Sequence, residues 1–477
     1  DAPSVIFAYT VKGFGLPMAG DPLNHSQLLT QEQIERLQES WGISPDDPWE
    51  GIDPSSAAGA IIQEAAERLK QEGAPADAES TIAFPTSLDT RNPGVTSTQE
   101  ALGRSLTRLA DFEEARKRVI TISPDVATST HLSGWINKVG VFSQEQAPTF
   151  EDSASRMLKW QPSPSGQHIE LGISEMNLFM ALSQFGLAHE LTGQHLIPIG
   201  TVYDPFVCRG LDALIYGLYI GAKMIFAGTP AGVSLSPEGG AHQSTVTPSL
   251  GIELPGVRFY EPAFATEVEW VLLDALKRCG DRKNGSSTYL RLSTKAVDQS
   301  LAKLASDRIE PSTLREYVLA GGYRLIEWRD AAPDLDPADC VQIAAAGIMV
   351  PEAVEAARRL HEEGVAANVL AVTSIERLYA DVRAARRSLL KSAGATASLG
   401  HLETLIPVDE RRAPIVTVQD GASHSMAFLG SVWGVPVVPL GVDEFGQSGS
   451  RADLYRATGI DADQIVNAAM LALDLVD

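Results

Sequence analysis

From about residue 95 onward, apolar runs of strand length alternate with segments of helical periodicity, and this alternation constrains the fold most strongly. It predicts a helix at Thr98–Ala110, a strand at Val119–Ser123, a helix starting near Glu175 and a strand at Leu196–Val202. A helix through Leu211–Tyr219, a strand at Lys223–Gly228 and a long helix at Ala265–Cys279 continue the series. Strands separated by helices pair in parallel, and parallel sheets are buried on both faces, so the expected class is α/β with parallel sheets flanked by helices. The texture changes after Asp298, where a strand at Cys340–Ala345, a helix at Pro351–Glu363, strands at Ala367–Ala371 and Ile415–Gln419 and a helix at Ala462–Leu475 predict a smaller C-terminal α/β domain.

The opening residues read differently. Val5-Ile6-Phe7-Ala8-Tyr9 is expected to be a buried strand already inside a sheet, so the chain is read as beginning within a domain, as a fragment or processed product. Lys12-Gly13-Phe14-Gly15 predicts a turn and Gly20–His25 a loop, followed by a helix capped by Thr30 with Gln33 three residues on. A further helix over about Ser56–Glu72 leads into a Gly/Ala/Pro/Asp-rich linker at Gly73–Glu79, a candidate boundary. The expected domains are residues 1–80, 81–300 and 301–477.

A chain of 477 residues can bury large cores, and its net charge of −23 argues against nucleic acid as the main partner. An apolar run long enough to span a bilayer is absent, so no membrane helix is expected. Cys208, Cys279 and Cys340 form no CxxC pair or zinc spacing, which fits a reducing cytoplasm, and no metal site is expected from them.

Phosphate-loop, GxGxxG, HExxH and GxSxG motifs are missing, which removes the common nucleotide and hydrolase readings. What remains is polar residues beside glycines at the predicted carboxyl ends of strands, where open α/β sheets place ligands. These are Asp125, Glu175, the Tyr203–Arg209 segment and Glu238-Gly239-Gly240-Ala241-His242-Gln243. Glu175 sits just inside an apolar helix start, where a buried acid costs several kcal/mol unless paired, although a first-turn acid also suits the helix dipole. Taken singly, His242 reads as a loop histidine, Asp125 as a helix N-cap, Tyr203 and Phe206 as core aromatics, Arg209 as a surface or ion-pair residue, and His25 as solvent-exposed.

Taken in order, the segments resemble thiamine-diphosphate enzymes of the transketolase type, most closely the homodimeric E1 component of the pyruvate dehydrogenase complex. Tyr9-Thr10-Val11-Lys12-Gly13-Phe14-Gly15 looks like the end of that family's first domain, and Asn24-His25-Ser26 like its inner loop. Ile122-Ser123-Pro124-Asp125, Gly172-Ile173-Ser174-Glu175 and Glu238–Gln243 then fall in the pyrimidine-binding middle domain. Leu440-Gly441-Val442-Asp443-Glu444-Phe445-Gly446-Gln447-Ser448-Gly449-Ser450-Arg451 resembles the E1 signature LGTDGFGRSDxR, and Ala371-Val372-Thr373-Ser374 is likewise similar.

The resemblance implies a transketolase-like thiamine-diphosphate-binding fold and assigns roles by residue. Glu175 would hydrogen-bond the cofactor's aminopyrimidine, Phe206 or Tyr203 would stack on it, and Asp125 would lie close to it. His242 would face the 2-oxo acid, and His25 would assist acyl transfer at the entrance. The implied reaction decarboxylates pyruvate or a close 2-oxo acid and passes the acyl group to the lipoyl arm of an E2 dihydrolipoyl acyltransferase, with chemistry that belongs to the cofactor. Two departures qualify this. The family's GDG-type segment for diphosphate and Mg²⁺ does not occur, so metal ligands are expected outside this chain, on a second E1 subunit or a separate chain supplying the diphosphate-binding half. Where pyruvate-type relatives read PDEART, this chain has Pro124-Asp125-Val126-Ala127-Thr128, which leaves room for a larger substrate such as 2-oxobutyrate. A transketolase or deoxyxylulose-phosphate synthase, and a noncatalytic assembly or regulatory subunit, are the alternative readings. His361, His401 and His424 are read as loop or helix-surface residues without a role.

Overall fold

The computed structural model describes residues 5–49, 51–69, 82–145, 160, 162–331, 333–334, 340–391 and 397–476. Its contacts divide the chain after Ala74 into two units. The linker expected at Gly73–Glu79 lies outside the described residues.

In the first unit the Gln31–Trp41 helix starts as its sequence requires: Thr30 and Gln33 complete a reciprocal capping box, and Gly42 ends it in the left-handed conformation. The second helix, Ala57–Leu69, follows the loop in which Ser56 Oγ accepts from the Gly59 amide at 3.0 Å. Two expectations change. Residues 20–25 contain a short 3₁₀ turn, Pro22–His25, capped by Asp21. Val5–Tyr9 is not a buried strand: Ile6 and Phe7 are 88% and 92% exposed and the run has no ladder partner. An apolar run becomes a strand only when other strands satisfy its amides, and this unit has no strand among its described residues.

The second unit is built on an eight-stranded parallel sheet, ordered Pro162–Ser163, Val141–Phe142, His168–Glu170, Val119–Ser123, Ile197–Val202, Ile225–Gly228, Ser287–Arg291, Val257–Tyr260. Its central strands are buried along their whole length, as near-continuous apolar runs should be when helices cover both faces. The Thr98–Leu109 helix carries a second capping box, from Ser97 and Glu100. A five-stranded sheet follows, ordered Gly322–Ile326, Ala366–Val372, Cys340–Ala346, Ile415–Val418, Val437–Leu440. It is mixed, because Gly322–Ile326 runs antiparallel to its neighbour. Sequence patterning missed that strand and the Val257–Tyr260 and Ser287–Arg291 strands, whose short runs carry arginines within them.

The two sheets are joined through polar contacts that spare buried groups from going unpaired. The Glu261 amide donates to the Thr373 carbonyl at 2.8 Å, and Ser374 Oγ donates to the Phe259 carbonyl at 2.5 Å. The Thr373-Ser374 pair singled out by similarity is therefore an inter-sheet fastener. His361 and His401 also have structural partners, each facing a backbone carbonyl, of Ala367 and Gly322.

His195, just before the Ile197–Val202 strand, is 6% exposed and faces the Cys279 carbonyl at 3.3 Å. Burial pushes its imidazole down to about 4, against the pull of that carbonyl. The unfolded chain takes up this proton near the ordinary value of about 6.5, the folded chain only near 4. The contribution to stability is therefore complete above about pH 6.5 and lost progressively as pH falls toward 4. Urea denaturation across that window should show a decline that His195→Asn reduces by up to about 3 kcal/mol; an unchanged slope would disprove it.

Candidate active site

The site forms where loops leave the carboxyl ends of neighbouring strands. Ile197–Val202 ends into Tyr203–Gly210, Ile225–Gly228 into the 229–243 loop, and His168–Glu170 into the start of the Glu175–Gly186 helix. This is the crevice that open parallel sheets reserve for ligands.

Glu175 is the first residue of its helix and is 8% exposed. Its Oε1 accepts from Arg209 Nη1 at 3.1 Å, and the Arg209 guanidinium lies 3.7 Å from the centre of the Phe206 ring. Arg209 thus stacks on an aromatic face while bonding the carboxylate, an arrangement suited to its planar group. Phe206 and Tyr203 stack with centroids 6.0 Å apart and planes 18° apart. The His242 ring stands 5.8 Å from Tyr203 and 5.4 Å from Phe206. Its Nδ1 is buried without a partner, an exception to the rule that buried polar atoms are bonded.

Of the residues singled out by sequence, the structure brings together Glu175, Tyr203, Phe206 and His242. Asp125 is tied elsewhere: it is exposed, in the left-handed region at φ 66°, and its amide donates to Glu170 Oε1 at 2.7 Å. It caps no helix, contrary to its simplest reading, because the following residues form turns. Glu170 Oε2 in turn faces the buried His168 Nε2 at 3.1 Å. His25 belongs to the first unit, exposed, with Nδ1 2.9 Å from Lys12 Nζ.

Beneath the site lies a cluster of which the sequence reading singled out only Asp204, within Tyr203–Arg209. Asp204 is fully buried and accepts from Ser244, from Thr247 at 2.5 Å, from Tyr289 and from Arg291 Nε at 2.9 Å. Arg291 also donates to Glu261 at 2.6 Å and to the Asp420 carbonyl at 2.7 Å. Burial alone lowers the Arg291 affinity for its proton, but the surrounding Asp204, Glu261 and Asp420 charges reverse this and raise it. Burial pushes the Glu261 carboxyl up, with Arg291 opposing. Gly228 is required here, since a Cβ would overlap the Asp204 carboxylate. The available signal was one arginine ending a short Ser-Thr-Tyr-Leu run, Ser287–Arg291.

Fold and site together define a transketolase-like α/β protein: a parallel sheet whose carboxyl edge presents a buried glutamate beside stacked aromatics, followed by a mixed-sheet domain. The transketolase of Leishmania mexicana shares this fold, with a TM-score of 0.67 at 19% identity over 97% of this chain and 61% of its own. The family model of the pyruvate dehydrogenase E1 component middle domain matches residues 79–299, and that of the transketolase-like C-terminal domain matches 321–461. Along its length the chain is similar to pyruvate dehydrogenase E1 components. Relatives of that name from Pseudomonas aeruginosa and Mycobacterium tuberculosis are each 24% identical over 99% of this chain, covering 54% and 52% of their own lengths. The chain thus spans about half the length of the curated relatives it matches. A split-gene transketolase chain, solved as an inactive β4 tetramer, is covered over 100% of its length by 80% of this chain, with a TM-score of 0.52 and 22% identity.

Proposed function

We propose that this chain supplies the pyrimidine-binding and C-terminal parts of a thiamine-diphosphate-dependent 2-oxo acid dehydrogenase, with residues 81–300 and 301–477 as those two domains. The reaction is oxidative decarboxylation of pyruvate or a close 2-oxo acid, with acyl transfer to the lipoyl group of an E2 dihydrolipoyl acyltransferase. The carrying observation is the buried Glu175 carboxylate beside the Tyr203, Phe206 and His242 rings.

These residues fit the aminopyrimidine end of thiamine diphosphate. Glu175 offers a carboxylate to a ring nitrogen, Phe206 or Tyr203 offers a flat apolar face, and the unpartnered His242 Nδ1 offers a polar contact. The cofactor supplies the electron sink for decarboxylation. Glu175 holds the proton at the ring nitrogen, the aromatics fix the ring plane and exclude water, and His242 orients the substrate carboxylate and trades a proton with the oxygen at the reacting carbon. By the family resemblance, Asp125 would lie near the cofactor and His25 would assist acyl transfer.

Among the described residues no group of three or more His, Cys, Asp or Glu side chains is placed to hold a metal. Mg²⁺ and the diphosphate are assigned to a partner half, either a second E1 subunit of a homodimer or another chain. Exposed apolar side chains beside the site support such a partner: Ile173, Met176 and Met180 at the start of one helix, Ile215, Tyr216 and Tyr219 on its neighbour. No helix among the described residues is long and apolar enough to cross a membrane.

The test is an assay of the chain with its complementary half, thiamine diphosphate, Mg²⁺ and an artificial electron acceptor. Pyruvate or 2-oxobutyrate should drive reduction of the acceptor; no dependence on a 2-oxo acid rejects the reading, and ketol transfer between sugar phosphates would favour a transketolase. One observation favours a noncatalytic subunit: Arg209 covers the Phe206 face and bonds Glu175, the two groups the cofactor ring requires. Arg209 is 54% exposed on its side chain, so the pair contributes at most about 1 kcal/mol and yields to a ligand. Accordingly, Arg209→Gln should leave stability within about 1 kcal/mol by chemical denaturation.

A further inference from the structure

The His242 loop is bound along its length by the C-terminal domain. Asp420 accepts from the amides of Val233 and Ser234 at 2.8 and 2.9 Å, and Arg451 Nε donates to the Ser234 carbonyl at 2.9 Å. Ser236 Oγ donates to the Gly449 carbonyl at 2.9 Å. Gln243, 5% exposed and next to His242, donates through Nε2 to the Ser236 carbonyl at 3.0 Å and to the Gln447 carbonyl at 2.9 Å. One buried amide group thereby closes the 236–243 loop on itself and pins it to the 446–451 segment.

The glycines show how close the two segments run. A Cβ on Gly240 would overlap the Gly446 carbonyl, and one on Gly446 would overlap Gln243 Oε1. A Cβ on Gly239 would come within 2.7 Å of Ser448 Oγ, and Gly239 is also at φ 87°, where side chains are strained. On the other side the Thr245 carbonyl accepts from the Ala422 amide at 2.9 Å. His242 has no side-chain hydrogen bond of its own to fix its Nδ1, so its ring position is set by the backbone that carries it.

We propose that Gln243 and Arg451 are positioning residues that bind the His242 loop to the Gly446–Arg451 segment, making the last domain a wall of the active site and setting where the imidazole stands over Tyr203 and Phe206. This rests on the assignment of His242 to the 2-oxo acid. Without the clamp the loop samples conformations in which the imidazole leaves the reacting position, which lowers turnover more than substrate affinity.

The variants are Gln243→Leu, which keeps bulk but removes the donor, and Arg451→Ala with Arg451→Lys, all in the assembled protein. Two readouts do not need turnover: hydrogen exchange of the 238–243 amides, and the rate at which diethyl pyrocarbonate modifies His242. Gln243→Leu and Arg451→Ala should each raise both rates at least about tenfold, with exchange at Val119–Ser123 unchanged; Arg451→Lys should restore most of the protection. In active enzyme, kcat should fall about tenfold with KM within about twofold. Unchanged exchange and modification would overturn the proposal, as would an equal rise at Val119–Ser123, which would mean general destabilisation. If the assembled protein has no 2-oxo acid activity but the loop responds as described, the functional reading fails while the clamp stands.

Discussion

Glu175→Ala in the assembled enzyme should lower 2-oxo-acid-dependent reduction of an artificial acceptor by roughly 10²–10⁴-fold, the range typical of a lost proton-transfer group. The carboxylate accepts from Arg209, which lies over Phe206, and it is 8% exposed. Glu175→Gln keeps shape and hydrogen bonding but cannot hold the proton, so it should lose nearly as much. Folding should change little, because the partner lost is a half-exposed arginine at the surface of the site. Activity retained in Glu175→Ala would support a scaffold subunit instead, and a collapse of folding would mean that the acid is structural.

Arg291→Met should destabilise the second unit by about 3–5 kcal/mol, the cost of removing one partner from a buried ion pair. Asp204 and Glu261 would remain buried at 0% and 5% exposure without the guanidinium that pairs them, and the Asp420 carbonyl would lose a donor. A thermal melt should show a fall of roughly 10 °C. The cluster spans the Tyr203–Arg209 segment, the loop after His242 and the C-terminal domain, so loss of cofactor-dependent activity should accompany the melt. Asp204→Asn combined with Arg291→Met should recover part of the stability, since one uncompensated charge goes with it. A single variant that melts like the parent would show that the ion cluster is not what holds these segments.

The two predictions separate what a one-dimensional pattern can carry from what it cannot. The Val119–Ser123 strand, the Leu211–Tyr219 helix and the capping box at Thr30 are local, set by side-chain period and by hydrogen bonds three residues apart, so they were legible. Glu175, Tyr203, Phe206 and His242 were legible as candidates because they follow strand ends, and the choice between ordinary core residue and site residue came from similarity. Val5–Tyr9 was misread because a strand is defined by its neighbours, and patterning sees only the run itself.

By itself, the sequence determined the α/β class, the main strands and helices, and the shortlist of site residues, because periodicity and capping act over a few residues. Only the tertiary structure decided that Arg209 bridges Glu175 and Phe206, that Arg291 gathers two acids and the Asp420 carbonyl from distant segments, and that Gly446–Arg451 grips the His242 loop. Those contacts join residues separated by tens to hundreds of positions, and their energies depend on burial, distance and the absence of water, none of which a linear pattern records.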